Sequence, residues 1–252
     1  MTGLSEFRVR LYEARDRQAV RTLCCDTGFF GSPIDPVFQD RDLFADFFTD
    51  YYLRREPDSA FVVETEAGLQ GYLLGARYPF RHQLFSIWQA PLLATKVLTR
   101  FRRYNRATRN YLGWILRNSR KEVPSAPRQV GHFHVNLLPQ VRSIRVFREL
   151  LNTYLGFLYQ SGVKQISAQL VTFEDRRSVQ MLERYGFRVL NQSRITKFQQ
   201  YTDKAVYLST ILKDLDMHAD GRVVYPTREQ KPMASHRGVS PKPAIRLRKP
   251  SN

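Results

Sequence analysis

His132, His134 and Asn136 alternate with Phe133, Val135 and Leu137 in a run that ends at Pro139. Alternation at a period of two puts the three polar side chains on one face of a strand. A histidine on such a face can take a proton from an amine, directly or through water, and can equally make a structural hydrogen bond. The His-x-His spacing also suits two metal ligands, but no clear third ligand accompanies it, so no metal is expected. Two carboxylates are alternative bases. Glu64 lies near the end of a strand-like run and also reads as a solvated turn residue. Asp175 precedes a short helix, where it reads either as a substrate-binding or water-orienting group or as that helix's cap.

Hydrophobic periodicity supplies the frame for these residues. Residues 7–12 alternate apolar and charged side chains as a half-buried strand does. Asp16 can cap a helix that carries Ala19, Val20, Leu23 and Cys24, and Leu43, Phe44, Phe47, Phe48, Tyr51 and Tyr52 recur at helical spacing behind Asp40 and Asp42. Residues 59–64 and 69–77 read as a hairpin turning at Gly68, and 131–138 as a further strand. A helix over 144–159, a strand over 165–171, a short helix over 176–185 ended by Gly186 and a strand over 205–211 complete the order. The adjacent cysteines, Cys24 and Cys25, suit neither a disulfide nor a spaced metal site and read as small buried residues.

The strand from His132 to Pro139, followed directly by a helix, resembles the fourth strand and third helix of the GNAT acetyltransferases. In that family a turn of the form Arg/Gln-x-x-Gly-x-Gly/Ala wraps the pyrophosphate of acetyl-CoA with backbone amides at a helix N-terminus. Aligned without gaps, the turn is Arg142, Ser143, Ile144, Arg145, Val146 and Phe147, with Arg145 and Phe147 at the two small-residue positions. Crowding by these side chains predicts weak coenzyme binding, partly offset by the charges of Arg142 and Arg145. The segment from Asp175 to Phe187 resembles the family's Asn-x-x-Ser/Ala-x-x-x-Tyr-Glu-x-x-Gly-Phe helix, with Asp175 for Asn and Leu182 where many members carry a thiolate-protonating tyrosine. Tyr185 stands three residues later. The resemblance covers about residues 7–212. It implies an α/β fold with a central mixed sheet, helices on both faces and strands splayed near Leu137–Pro139. It further implies an acetyl oxygen bound by amides near Leu137 and Leu138, and transfer from acetyl-CoA to an amine by direct attack. The alternative is a non-catalytic module of the same fold.

Charge separates the core from its attachments. Of 40 Lys and Arg residues, 11 fall in 80–130 beside the single acid Glu122, and eight fall in 221–252 beside the single acid Glu229. The rest is neutral. The expected division is therefore an acetyltransferase-like domain over 1–220, interrupted at 78–130 by a basic, aromatic, helical insertion, and a disordered basic tail over 221–252. The insertion reads as a lid with one aromatic face on the core and one solvated basic face, or, with the tail, as a polyanion-binding surface on nucleic acid or an anionic membrane. At 42% hydrophobic the chain can bury a core, and its longest apolar stretch, broken by Gln89, Pro91 and Lys96, cannot span a bilayer. With no apolar run behind Glu6, Arg8 and Arg10, the expectation is a cytoplasmic protein.

Overall fold

Period-two segments become strands and helical-period segments become helices in the expected order, with one further strand, Arg188–Arg194, that the periodicity does not show. β1 (Arg8–Leu11) leads into α1 (Arg17–Asp26) and α2 (Arg41–Arg55), and β2 (Ala60–Thr65) and β3 (Gly68–Ala76) form the hairpin. At its turn Gly68 has a φ of +92°, which glycine adopts without strain. α3 (Pro79–Arg100) and α4 (Arg106–Glu122) make up the insertion. β4 (Gly131–Leu137), α5 (Ile144–Gln160), β5 (Gln165–Phe173), α6 (Arg177–Glu183), β6 (Arg188–Arg194) and β7 (Val206–Asp214) follow. The computed structural model describes residues 6–173 and 177–215; Asp175 and the 221–252 tail lie outside them. Among the described residues no helix is long and apolar enough to cross a membrane.

The seven strands lie in the order β1-β2-β3-β4-β5-β7-β6, antiparallel throughout except at the β4–β5 joint. That joint pairs only Gly131–Phe133 with Ile166–Ala168. β4 stays with β3 as far as Leu137, and β5 stays with β7 as far as Phe173. The sheet therefore parts after Phe133, four residues earlier than the expected splay at Leu137–Pro139. The cause lies in the ladders: each half keeps its long antiparallel pairing, and the short, weaker parallel joint yields.

Each face of the sheet carries helices over its own core. On one face α1, α2 and α4 pack Val20, Leu23, Tyr52, Tyr111 and Trp114 over Val62, Tyr72 and Leu74. On the other, α5 lays Leu150, Leu151, Tyr154 and Leu158 over Phe61, Leu73, Phe133 and Ile166. The two helices of the insertion differ. α4 buries Tyr111 and Trp114 and turns its arginines outward. α3 has no buried residue, and its outer side is apolar rather than basic. It is held through its inner side, where Lys96 pairs with Asp46 at 2.6 Å and Arg100 with Asp40 at 2.9 Å.

Glu122, the insertion's one acid, fastens α4 to the β6–β7 connection. It accepts from Trp114 Nε1 at 2.8 Å, from the Thr196 amide at 2.6 Å and from the Thr196 hydroxyl at 2.8 Å. Glu122→Ala removes the acceptor for all three, and the expected loss is about 1–3 kcal/mol, or a Tm lower by several degrees. Thermal denaturation checks this, with Glu122→Gln expected to retain part of the stability.

Candidate active site

Beyond Phe133 the two halves of the sheet leave a wedge between β4 and β5. The Leu138 amide donates to the Gln70 carbonyl at 2.9 Å, on the β3 side. Main-chain groups alternate in direction along a strand, so Val135 and Leu137 direct theirs toward β5 and into the wedge. Of the two amides expected to bind an acyl oxygen, Leu138's is thus spent on β3, and Leu137's remains.

The mouth of this wedge is bridged by the α1–α2 loop. Arg142 donates to the Leu137 carbonyl from Nη2 at 3.0 Å and from Nε at 3.3 Å, and its Nη2 also reaches the Gly31 carbonyl at 3.0 Å. Next to Gly31, Phe30 holds a φ of +52°, a conformation costly for a bulky side chain. Its ring lies 5.0 Å from Phe173 at the end of β5 and 4.7 Å from Phe198. One short loop therefore touches both parted strands, and Arg142 turns back onto the end of β4.

Most amides of the turn into α5 are already bonded within it. Val141 donates to Leu138, Arg142 to Pro139 and Ser143 to Val141, while the Ser143 hydroxyl caps the helix by accepting from Val146 at 3.2 Å. The Ile144 and Arg145 amides have no acceptor among the described residues, and they sit at the positive end of the helix dipole. The Ile144 side chain is exposed and Val146 is fully buried. Arg145 lies 5.4 Å over the Phe7 ring, and Phe147 packs half-buried, 5.8 Å from Tyr185. Both bulky side chains thus have an aromatic neighbour within the fold.

The polar face of β4 is as the alternation dictates. His132, His134 and Asn136 stand opposite Ala76, Leu74 and Tyr72 of β3. Asn136 donates to the Tyr72 hydroxyl at 2.8 Å, and His132 Nε2 shares a hydrogen bond with the Tyr52 hydroxyl at 2.8 Å. His82, from α3, brings its ring to 4.4 Å from His132, and His134 Nε2 is buried without a partner. Burial pushes the His132 imidazole down to about 3 and the His134 imidazole to about 4, with the neighbouring His82 adding to both. Both are neutral at pH 7 and are weak bases there. His132 also stands five residues before Leu137, about 17 Å along the strand, at the wedge's closed end.

Asn136 and Tyr72 are the polar pair that the fold carries to the wedge. Sequence reasoning missed Tyr72, Tyr52 and His82, because their roles depend on strand register and on the docking of α3. Glu64 stands on β2, two strands from β4, and is held by Arg10 Nε at 2.9 Å and Nη2 at 3.0 Å. Leu182 is buried in the α5-side core. Burial raises the Cys24 thiol to about 12 and the Cys25 thiol to about 11, which leaves both unreactive. Among the described residues no group of three or more His, Cys, Asp or Glu is placed to hold a metal ion.

No family model matches the sequence. Solved structures do match. The crystal structure of SsHAT is 21% identical with a TM-score of 0.53, covering 83% of this chain and 98% of that one. The Drosophila melanogaster polyamine N-acetyltransferase, which forms N-acetylagmatine, is 14% identical with a TM-score of 0.51, covering 83% of this chain and all of that one. The chain has the GNAT acetyltransferase fold. Its mixed seven-stranded sheet and two helical layers are those implied by the resemblance of the β4–α5 and α6–β6 segments. Within this GNAT fold the wedge, the Leu137 amide and the start of α5 lie in succession along one connection, from β4 into α5.

Proposed function

We propose that the chain transfers an acetyl group from acetyl-CoA to an amine by direct attack. The observation that carries this reading is the parting of β4 and β5, which frees the Leu137 amide one turn ahead of the two unpaired amides of α5. The Ile144 and Arg145 amides and the helix dipole suit the coenzyme's phosphates. Arg145, which pairs with no acid among the described residues, adds a positive charge. The Leu137 amide faces the position where the carbonyl oxygen gains charge. A neutral amine attacks the acetyl carbon, the C–S bond breaks, the amine nitrogen loses a proton and the departing thiolate takes one up. Asn136 donates through Nδ2 to Tyr72, and its Oδ1, which accepts from no donor among the described residues, can orient the incoming N–H. In this reading His132 and His134 hold the strand face, and the base is supplied elsewhere; Asp175 retains both roles read from its sequence position.

Calorimetric titration with acetyl-CoA and with CoA tests the coenzyme site, and thiol release with a panel of amines tests transfer. Arg145→Glu is expected to weaken acetyl-CoA binding about tenfold or more by reversing charge beside the phosphates, while Phe147→Ala changes it little. The reverse pattern, with Phe147→Ala tightening binding and Arg145→Glu neutral, would restore the crowding account. One observation favours the non-catalytic reading: the α1–α2 loop bridges the wedge through Phe30 on Phe173 and Gly31 on Arg142. Absence of any heat with either nucleotide would decide for it.

A further inference from the structure

The outer face of α3 has no partner within the fold. Phe80, Leu84, Ile87, Trp88, Leu92 and Leu98 are all exposed, Trp88 by 76%, Ile87 by 68% and Leu92 by 65%. At 100° per residue they fall within one arc of about 140°, and at 1.5 Å per residue they run for about 27 Å. The opposite arc meets the protein, with Phe85, Leu93 and Val97 against the core and Gln89 donating to the Asp46 carbonyl at 3.0 Å. Hydroxyls that interrupt the helix surface are spent on its own backbone: Ser86 donates to the His82 carbonyl at 2.9 Å, Thr95 to Pro91 at 2.9 Å and Thr99 to Thr95 at 3.0 Å. The result is a long stripe with little outward polarity and a protruding indole.

Unpaired cations stand at both ends of this stripe. Arg81 stands at one end and Arg102, Arg103 and Arg106 beyond the other, none in an ion pair among the described residues. The insertion's single acid, Glu122, is occupied by Trp114 and Thr196. A second copy would bring the same positive rim against this one. A nucleic acid would satisfy the arginines, but Ile87, Leu92 and Leu98 have no aromatic face on which a base could stack, so they would gain little. A bilayer interface bearing anionic headgroups satisfies both parts at once. Apolar side chains enter the acyl boundary, Trp88 sits at headgroup level, and the arginines meet the phosphates. The tail, with eight Lys and Arg against one Glu in 221–252, has the sign to add attraction to the same surface.

We propose that the exposed face of α3 is a docking surface for an anionic phospholipid bilayer, on which the helix lies parallel to the membrane plane. The full-length protein is tested by co-sedimentation with phosphatidylcholine vesicles, with and without phosphatidylglycerol, and by tryptophan emission. Trp114 is only 8% exposed, so a blue shift on binding reports Trp88. The protein is expected to sediment with the phosphatidylglycerol vesicles, to shift its emission to the blue, and to release at high salt. The double variant Ile87→Glu/Leu92→Glu, both at exposed positions, is expected to keep its Tm and to lose partitioning about tenfold or more. No sedimentation, or sedimentation undiminished in the double variant, overturns the proposal. So does a dimer in vesicle-free solution, or binding to a single-stranded oligonucleotide, that this variant abolishes.

Discussion

Gly75→Ala is expected to destabilise the protein by about 3 kcal/mol, which for a chain of this size lowers Tm by roughly 6–12 °C. Gly75 is the last residue but one of β3, within its buried run and beneath α5. A methyl group there would meet the Tyr154 ring, with the hydroxyl and Cζ closest and Cε2 at 2.7 Å. Tyr154 is fully buried, between Phe61, Phe133 and Phe157, and cannot step aside. Its hydroxyl finds no hydrogen-bond partner, and neither does Ser59 Oγ. Tyr154→Phe therefore costs little, because the lost hydroxyl was unsatisfied. The decisive comparison is a double-mutant cycle measured by chemical denaturation. Tyr154→Leu shortens the ring that the new methyl strikes, so Gly75→Ala with Tyr154→Leu should be more stable than the sum of the single effects allows. Additive effects, or a Gly75→Ala protein within a degree of the parent, would show that α5 does not sit as tightly on β3 as this contact requires.

The glycine also marks where reading from sequence stops. The helix over 144–159 is legible because Leu150, Leu151, Tyr154, Leu155 and Leu158 repeat at helical spacing, but nothing in that spacing says that Tyr154 will cross Gly75. β6 illustrates a second limit. Its residues Arg188, Asn191, Gln192, Ser193 and Arg194 are too polar to stand out as a strand, and its edge position leaves every other side chain exposed. The polar face of β4 was legible from alternation alone, whereas the end of that face nearer the wedge was not. The sheet parts according to the competing lengths of the β3–β4 and β5–β7 ladders, and this favours Asn136 over His132. For α3, only a helical insertion over 78–130 was read; the helix carries two apolar arcs, and the one turned inward is on the side that makes the ion pairs with Asp40 and Asp46.

The buried histidines should make the protein acid-labile well above the carboxylate range. His132 and His134 have folded values near 3 and 4, against about 6.5 in an unfolded chain. Below pH 6.5 the unfolded state therefore binds protons that the folded state refuses, and stability falls as pH drops. Their contribution is complete above pH 6.5 and declines progressively down to the folded values. At pH 4.5 each histidine can account for up to about 2.7 kcal/mol, and roughly 3–5 kcal/mol is expected for the pair after allowing for their mutual coupling. His82, also lowered by burial, acts in the same direction. The lowered carboxylates Asp16, Asp40 and Asp46 act in a separate window, losing their contribution as pH falls through their folded values, below 3.8. Denaturant unfolding between pH 7 and pH 4.5 isolates the histidines. His132→Gln can keep a hydrogen bond to Tyr52, and His134→Phe removes the unpartnered Nε2 together with the ring's bond to the Phe48 backbone, a loss present at every pH. The double variant should show most of the slope abolished over this interval. A parent protein whose stability is flat from pH 7 to pH 4.5 would mean that the two imidazoles titrate in the folded state, and would return His132 and His134 to the list of working bases.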